Sequence, residues 1–420
     1  MANTLINPAW VLMKTSVRLN NNLRFGGNID RSYSDEFKQG GAKMGNTVKA
    51  RLPQRYQRVR GAQFQRQDVT DRTVDIELTD QVHVGIGFGS WERTLNIERY
   101  QERYIEPAKD ELSNGYDFDG MDRMYKTVAT TVGTPAVVPG STGTLPQAAT
   151  QTYLDASERL TNIGVTEEDR RIVVSPAMQN YLINGTITLM NPAMKIGMQY
   201  KTGQFAGEAL GWSKWFVGQN VALHTVGPLG GTPLMNTPST LTANGATSLV
   251  TDGWTASAAN RLKAGDVIQI EGVYEINLMN RQQLSYLKDF VVTSDIASDG
   301  SGNATITISP PLIFSGQFQN CSAQPADGAA ITIFGHASSH ANKLTRQALG
   351  FRKEAFAGVT ADLNKPGGVE VSERVSNEKL AISMRMVSDY DLKEDETNCR
   401  LDMIYGFSAV RPEMAVRIAS

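Results

Sequence analysis

Few side chains in this 420-residue chain are of the types that do chemistry, and their spacing does not gather them into a site. Histidine occurs four times, at His83, His224, His336 and His340. The last two lie four apart and could share one helix face, which is half of a zinc site. Ala337 stands where the metalloprotease pattern needs its glutamate, and no third ligand follows at a suitable distance, so the pair reads as solvated or structural. Gly85-Ile86-Gly87-Phe88-Gly89 alternates glycine with apolar residues and keeps the period of a strand, whereas a dinucleotide loop needs strand, turn and helix with a different glycine spacing. Asp117-Phe118-Asp119-Gly120 is a fragment of a calcium loop with its glycine misplaced and its closing glutamate missing, which leaves a helix-breaking turn. Cys321 and Cys399 form no Cys-x-x-Cys pair and read as ordinary thiols in a reducing compartment. Neither a phosphate-binding Gly-x-x-x-x-Gly-Lys-Ser/Thr nor a Gly-x-Ser-x-Gly elbow occurs. The expectation is no enzyme, with no catalytic, cofactor-binding or metal-ligating residue and no cofactor.

Charge carries the sharper signal. With 41 Lys+Arg against 43 Asp+Glu the net charge is −2, so nothing global marks a polyanion-coating protein, and 40% hydrophobic residues exclude a disordered chain. Locally the balance breaks. From Lys43 to Arg66 there are seven cations (Lys43, Lys49, Arg51, Arg55, Arg58, Arg60, Arg66) and no acid. Downstream, Glu98, Glu102, Glu106 and Asp110 recur every four residues along one helix face, beside an apolar stripe of Tyr100, Tyr104, Ile105, Ala108 and Leu112. A basic extended segment and an acidic helix face suit each other; if the segment leaves the body as a hairpin, its partner is a neighbouring copy.

These residues need elements to position them. The first 45 residues are polar and irregular, an arm. Val74, Ile76 and Leu78, then Val82, Val84, Ile86 and Phe88, alternate with polar residues or glycine, which predicts two strands or one long bent strand. The acid-faced helix should kink or restart at Pro107 and break over Gly115–Gly120. Helices over Thr150–Asn162 and from Pro176, with strands at Arg171–Ser175 and Trp215–Val221, make a mixed α and β region. Between Thr225 and Gly335 charge falls to 12 residues in 111, and short β-branched runs at Asp266–Gly272, Phe290–Thr293 and Ala304–Ile308 predict an inserted all-β barrel or sandwich. After it a helix-like start (Leu344, Ala348) leads to strands at Val369–Val371, Leu380–Val387 and Arg400–Phe407. The fold class is α+β. No run is long and apolar enough to predict a membrane helix, and the N-terminal stretch around Trp10 reads as neither signal peptide nor anchor.

Two literal motifs stand out, Leu262-Lys263-Ala264-Gly265-Asp266-Val267-Ile268 in the insertion and Tyr405-Gly406-Phe407-Ser408-Ala409-Val410-Arg411-Pro412-Glu413 near the end. With the order of parts, they make the chain resemble the Hong Kong 97 fold of tailed-phage major capsid proteins, and within it the coat proteins of short-tailed Salmonella-type phages, which carry an inserted β-barrel. The resemblance implies an N-terminal arm (1–45), an extended loop with peripheral-domain strands (46–90), a spine helix (91–133), the first part of an axial domain (134–224), the inserted β domain (225–335) and the rest of the axial and peripheral domains (336–420). It implies self-assembly as pentamers and hexamers into an icosahedral head around double-stranded DNA, bound non-specifically. The implied partners are a separate scaffolding protein, a portal protein and, left open, a decoration protein; assembly would take place in the host cytoplasm. The expected inter-subunit contact joins Lys49, Arg51, Arg55, Arg58 and Arg60 to Glu98, Glu102, Glu106 and Asp110 of a neighbour. The rival readings are a soluble α/β enzyme with a β-rich accessory domain, and a nucleic-acid-binding protein using segment 43–66.

Overall fold

The computed structural model describes residues 23–34, 37, 45–89, 104, 106–142, 147–186, 208–236, 244–334, 340–377 and 382–420. In chain order the strands begin with β1 (Thr47–Arg51), β2 (Thr73–Glu77), β3 (Asp80–Gly89), β4 (Thr131–Gly133), β5 (Arg170–Val174), β6 (Lys214–Val217) and β7 (Ala222–Thr225). They continue with β8 (Gly231–Met235), β9 (Ala246–Trp254), β10 (Ala259–Leu262), β11 (Val267–Ile276), β12 (Gln283–Val292), β13 (Ile296–Ser298), β14 (Ala304–Leu312) and β15 (Ile331–Ile333). The last are β16 (Leu344–Arg352), β17 (Phe356–Ala361), β18 (Val371–Asn377), β19 (Ile382–Asp391), β20 (Glu396–Ala409) and β21 (Ala415–Ala419). Helices α1 (Glu106–Met124), α2 (Gln147–Ile163) and α3 (Pro176–Thr186) lie among them. The chain divides into two compact units, one of residues 1–52, 72–120 and 356–410, the other of residues 53–71, 121–355 and 411–420.

In the first unit the long strand β20 is the organiser. Along one side it pairs with β19 and then β17, along the other with β3, and β18 extends the sheet beyond β19. Leu401, Met403, Tyr405 and Phe407 are buried as their alternation requires. Asp402 is also buried, and the Arg385 guanidinium holds both its oxygens, at 3.0 and 2.5 Å, so a residue that alternation places outside is a paired buried charge. The segment 73–89 forms two strands with different partners: β2 pairs with β1, and β3 with β20.

Helix α1 runs unbroken from Glu106 through Gly115–Gly120, which corrects the expected break; Pro107 sits in its first turn, where its missing N–H costs nothing. The glycine and aspartates serve packing. A Cβ on Gly120 would lie 2.9 Å from Phe25 Cδ1 and 3.0 Å from Phe407 Cζ. The buried Asp117 carboxylate accepts the backbone N–H groups of Phe25 and Gly26 at 2.8 and 2.9 Å, and the Tyr405 hydroxyl donates to Asp119 at 2.5 Å. Burial pushes the Asp117 pKa up, and those N–H donors oppose it only partly. Phe25, Tyr116, Tyr405 and Phe407 close an aromatic cluster over this helix, with Tyr116 4.7 Å from Phe407 and 5.1 Å from Tyr405.

In the second unit a mixed sheet of order β4-β21-β16-β5-β6, with β7 also on β16, carries α2 and α3. Strand β21 thus lies between one strand that precedes residues 225–335 and one that follows them. The helix-like start at Leu344 and Ala348 is instead strand β16, hydrogen-bonded on both sides and buried for most of its length; burial on both faces erases the two-residue period that would have marked it. Of Trp215–Val221 only Trp215–Val217 is strand, in β6; a turn follows, and β7 begins just beyond the range at Ala222.

Residues 231–333 form a separate six-stranded sheet of order β15-β11-β12-β14-β9-β8. Its ends meet, since Met235 N–H donates to the Ala329 carbonyl at 2.9 Å, Gly328 N–H to the Met235 carbonyl at 2.8 Å, and Leu234 bridges Ala330. These contacts close the sheet into a barrel, filled by Leu249, Trp254, Leu262, Ile268, Ile270, Phe290, Val292 and Ile306. Its strands are two-faced and weakly charged, which is why the interior reads as β-branched runs.

Candidate functional site

The basic segment begins on β1. Val48 and Ala50 face a core of Phe37, Ile76, Ala357, Val359 and Val410, so the strand period puts Lys49 and Arg51 outside, and both are exposed. From Pro53 to Asp71 the chain has no regular secondary structure and is largely exposed. Glutamines staple its two arms. Gln54 donates to the Thr70 carbonyl at 2.6 Å and to Asp71 at 3.1 Å; Gln57 N–H donates to Gln67 Oε1 at 2.7 Å, and the Gln67 amide returns a bond to the Gln57 carbonyl. Amide side chains replace the backbone ladder that a hairpin would otherwise supply.

The cations on this loop divide into two kinds. Arg55 is half-buried and pairs with Glu413 of its own chain, Nη2 to Oε1 2.9 Å, with Arg411 3.7 Å from the same oxygen. Arg58 and Arg60, like Lys49 and Arg51, are exposed and make no ion pair among the described residues. Beside them Tyr56 and Val69 are about two-thirds exposed and Phe64 is 90% exposed. Such side chains are seldom left in water without a partner surface. Of the acidic face, Glu98 and Glu102 lie outside the described residues, Glu106 begins α1, and Asp110 is half-buried on that helix. Charge counting could not reach Glu413, because its partner is 358 residues away; the glutamine staples likewise leave no periodic trace.

The two literal motifs each have a structural role. Lys263 to Asp266 is a tight turn, closed by Asp266 N–H to the Lys263 carbonyl at 3.0 Å, with Gly265 at φ +100° as the turn demands. Asp266 Oδ2 accepts from Lys263 N–H at 2.8 Å and Gly227 N–H at 3.1 Å, and Oδ1 meets His224 Nε2 at 2.8 Å. In the second motif Tyr405 and Phe407 pack in the aromatic cluster of the first unit, while Glu413, in the second, pairs with Arg55 and lies close to Arg411. His224 is thus a structural residue, and His336 lies outside the described residues. Gly85, Gly87 and Gly89 sit on β3, as strand glycines.

A loop of exposed cations and aromatics, a central β20 sheet with helix α1, and an inserted barrel are the parts of a class, the Hong Kong 97-type capsid subunits of tailed phages. The chain belongs to the P22 coat protein (gene protein 5) family, whose model matches residues 65–419. It is a major capsid protein, a structural component of an icosahedral virion shell. Solved structures similar to it include that of Mycobacterium phage Che8, at 14% identity and TM-score 0.48 over 94% of this chain and 91% of that one. The capsid of cyanophage P-SCSP1u is similar at 12% identity and TM-score 0.44, covering 89% and 83%. The mature capsid of bacteriophage PhiM1 is similar at 10% identity and TM-score 0.44, covering 90% and 82%. None of the curated proteins matches the chain.

Proposed function

We propose that copies of this chain join as pentamers and hexamers through the 49–60 segment, whose Lys49, Arg51, Arg58 and Arg60 engage the Glu98, Glu102, Glu106 and Asp110 face of a neighbour. The exposure of these four cations, without an ion pair among the described residues, carries the reading. Arg55 takes a different part: its bond to Glu413 anchors the loop at the root and leaves the outer cations free to reach outward. Each exposed pair contributes only about 0 to 1 kcal/mol. Repetition in every subunit makes the sum large while each bond stays reversible, which suits error-correcting assembly. Phe64 and Tyr56 add apolar area to the same contact.

The shell forms in the host cytoplasm around a separate scaffolding protein, starts at a portal vertex and encloses double-stranded DNA that it binds without sequence preference. The family membership supports this reading. Reversing Arg58 and Arg60 to Glu tests it. The variant should stay folded by circular dichroism yet yield few shells; shells in normal yield from that variant would refute the loop contact.

A further inference from the structure

Within the second unit the inserted barrel joins the mixed-sheet body by two connecting segments that lie side by side: Val226 N–H donates to the Lys343 carbonyl at 3.0 Å, and Asn342 N–H to the Gly227 carbonyl at 3.3 Å. A stem of two paired segments is a natural hinge. What meets at its base is buried charge. From the barrel come the buried Asp266, Glu275 and Asp289, with Lys288; from the body come the buried Arg417 on β21 and the partly exposed Arg159 on α2. By formal charge, three carboxyls and one ammonium on the barrel side complement two guanidiniums on the body side, and burial pushes the Asp289 carboxyl up against the pull of Arg159.

The contacts fall at two points. At the first, Arg159 Nη1 lies 3.2 Å from Asp289 Oδ2 and 3.7 Å from Glu275 Oε2, with its guanidinium 4.0 Å over the Tyr286 ring. Lys288 Nζ donates to Glu275 Oε1 at 2.5 Å, and Gln269 donates to Asp289 Oδ1 at 2.6 Å. At the second, Asp266 holds His224 Nε2 at 2.8 Å, His224 Nδ1 meets the Tyr125 hydroxyl at 3.2 Å, and Arg417 lies over the Tyr125 ring with its centre 5.9 Å away. Thr131 touches both points. Its N–H donates to Asp289 Oδ2 at 3.1 Å, and its hydroxyl accepts from Arg417 Nε at 2.9 Å. The apolar contact beside them is small: Ala129, Val267 and Val291, with Phe334.

We infer that Arg159 with Asp289 and His224 with Asp266 form a two-point polar lock that holds the barrel in one orientation on the body, while Thr131 joins Asp289 to Arg417, which backs the lock from within the body. Buried ion pairs add little net stability over apolar contacts of the same shape, but removing one partner strands the other, so their geometry is enforced. Arg417 stays charged at neutral pH even though burial draws it down to about 10. Because Arg417 on β21 holds the Thr131 hydroxyl, the β4 residue whose N–H meets Asp289 is fixed once β21 stands between β4 and β16. The stem then cannot swing, and the barrel moves with the sheet that carries it. The inference stands on this geometry and does not depend on the contact proposed for the basic loop.

The Thr131 amide, bonded across the seam to Asp289, is a ready reporter. Hydrogen exchange of the full-length protein is measured in the parent, Arg159→Met, Asp289→Asn and the double variant. Arg159→Met should speed exchange of the Thr131 amide by roughly 100-fold, as expected when a buried charge loses its partner. Amides inside the barrel, on β9 and β14, should keep their protection. In the double variant no charge is stranded, and the Thr131 rate should return by roughly 10-fold or more toward the parent. Unchanged exchange in Arg159→Met, or effects that simply add in the double variant, would overturn the lock. Should Arg159→Met fail to fold, the double variant decides: recovered folding supports the lock, and continued misfolding rejects it.

Discussion

Arg55 Nη2 lies 2.9 Å from Glu413 Oε1, and this one ion pair ties the root of the basic loop to the turn that leads into β21. Both side chains are about a quarter to a third exposed, so the pair contributes on the order of 1 kcal/mol or less to global stability. Its effect is local. Arg55→Glu should leave the melting temperature within a few degrees of the parent and make segment 53–71 more sensitive to trypsin, which still has Arg58, Arg60 and Arg66 to cleave. The swapped pair, Arg55→Glu with Glu413→Arg, should recover most of the protection. Equal cleavage in all three proteins would show that the pair does not anchor the loop.

Glycines divide by what surrounds them. A Cβ on Gly406 would lie 1.8 Å from the Glu77 carbonyl oxygen, a backbone atom that cannot step aside, whereas one on Gly85 would meet nothing within 4 Å among the described residues. Gly406→Ala should therefore cost more than about 4 kcal/mol, the range reserved for backbone and core disruption. Gly85→Ala on the open edge strand β3 should be neutral or gain up to about 1 kcal/mol, the usual cost of glycine in a regular element. Denaturant midpoints of the two variants check this. A large loss at Gly85 would reopen the question of what its glycine series does.

Thiol chemistry follows from burial. Cys321 and Cys399 are both buried, and burial pushes the Cys321 thiol up to about 11. A thiol reagent at pH 8 should label neither in the folded protein and both after unfolding. The sign of the linkage is set by the upward shift. In the unfolded chain Cys321 ionises near its ordinary value of 9.0, in the folded one near 11, so its contribution is full below pH 9 and is lost as pH rises toward 11. Replacing Cys321 by Ala should flatten that alkaline decline, as seen in urea midpoints at pH 8 and pH 10.5. An unchanged alkaline slope would mean that another group governs it.

Legibility in the sequence tracked the range of the interaction. Strands with one wet face, β2, β3 and the second half of β20, show their alternation, and α2 and α3 show their starts, because those signals lie within a few residues. Strand β16 reads as a helix start along the sequence because both its faces are covered and its period vanishes. Helix α1 was cut at Gly115–Gly120 because the residues that break a helix locally are here spent on tertiary packing, Gly120 under Phe25 and Asp117 on the arm's backbone. The outward direction of Lys49 and Arg51 was readable from Val48 and Ala50. The Arg55–Glu413 pair and the Arg159–Asp289 seam were not, since charges separated by 358 and 130 residues leave no pattern that a window along the chain can see.

The most direct measurement is the size of what the purified chain builds. Sedimentation velocity with negative-stain electron microscopy, run on the parent beside Arg58→Glu/Arg60→Glu, should show megadalton shells for the parent, alone or with a scaffolding protein added, and folded small species for the variant. A parent that stays a discrete small oligomer under both conditions, or a variant that closes shells as readily as the parent, would contradict assembly through the basic loop.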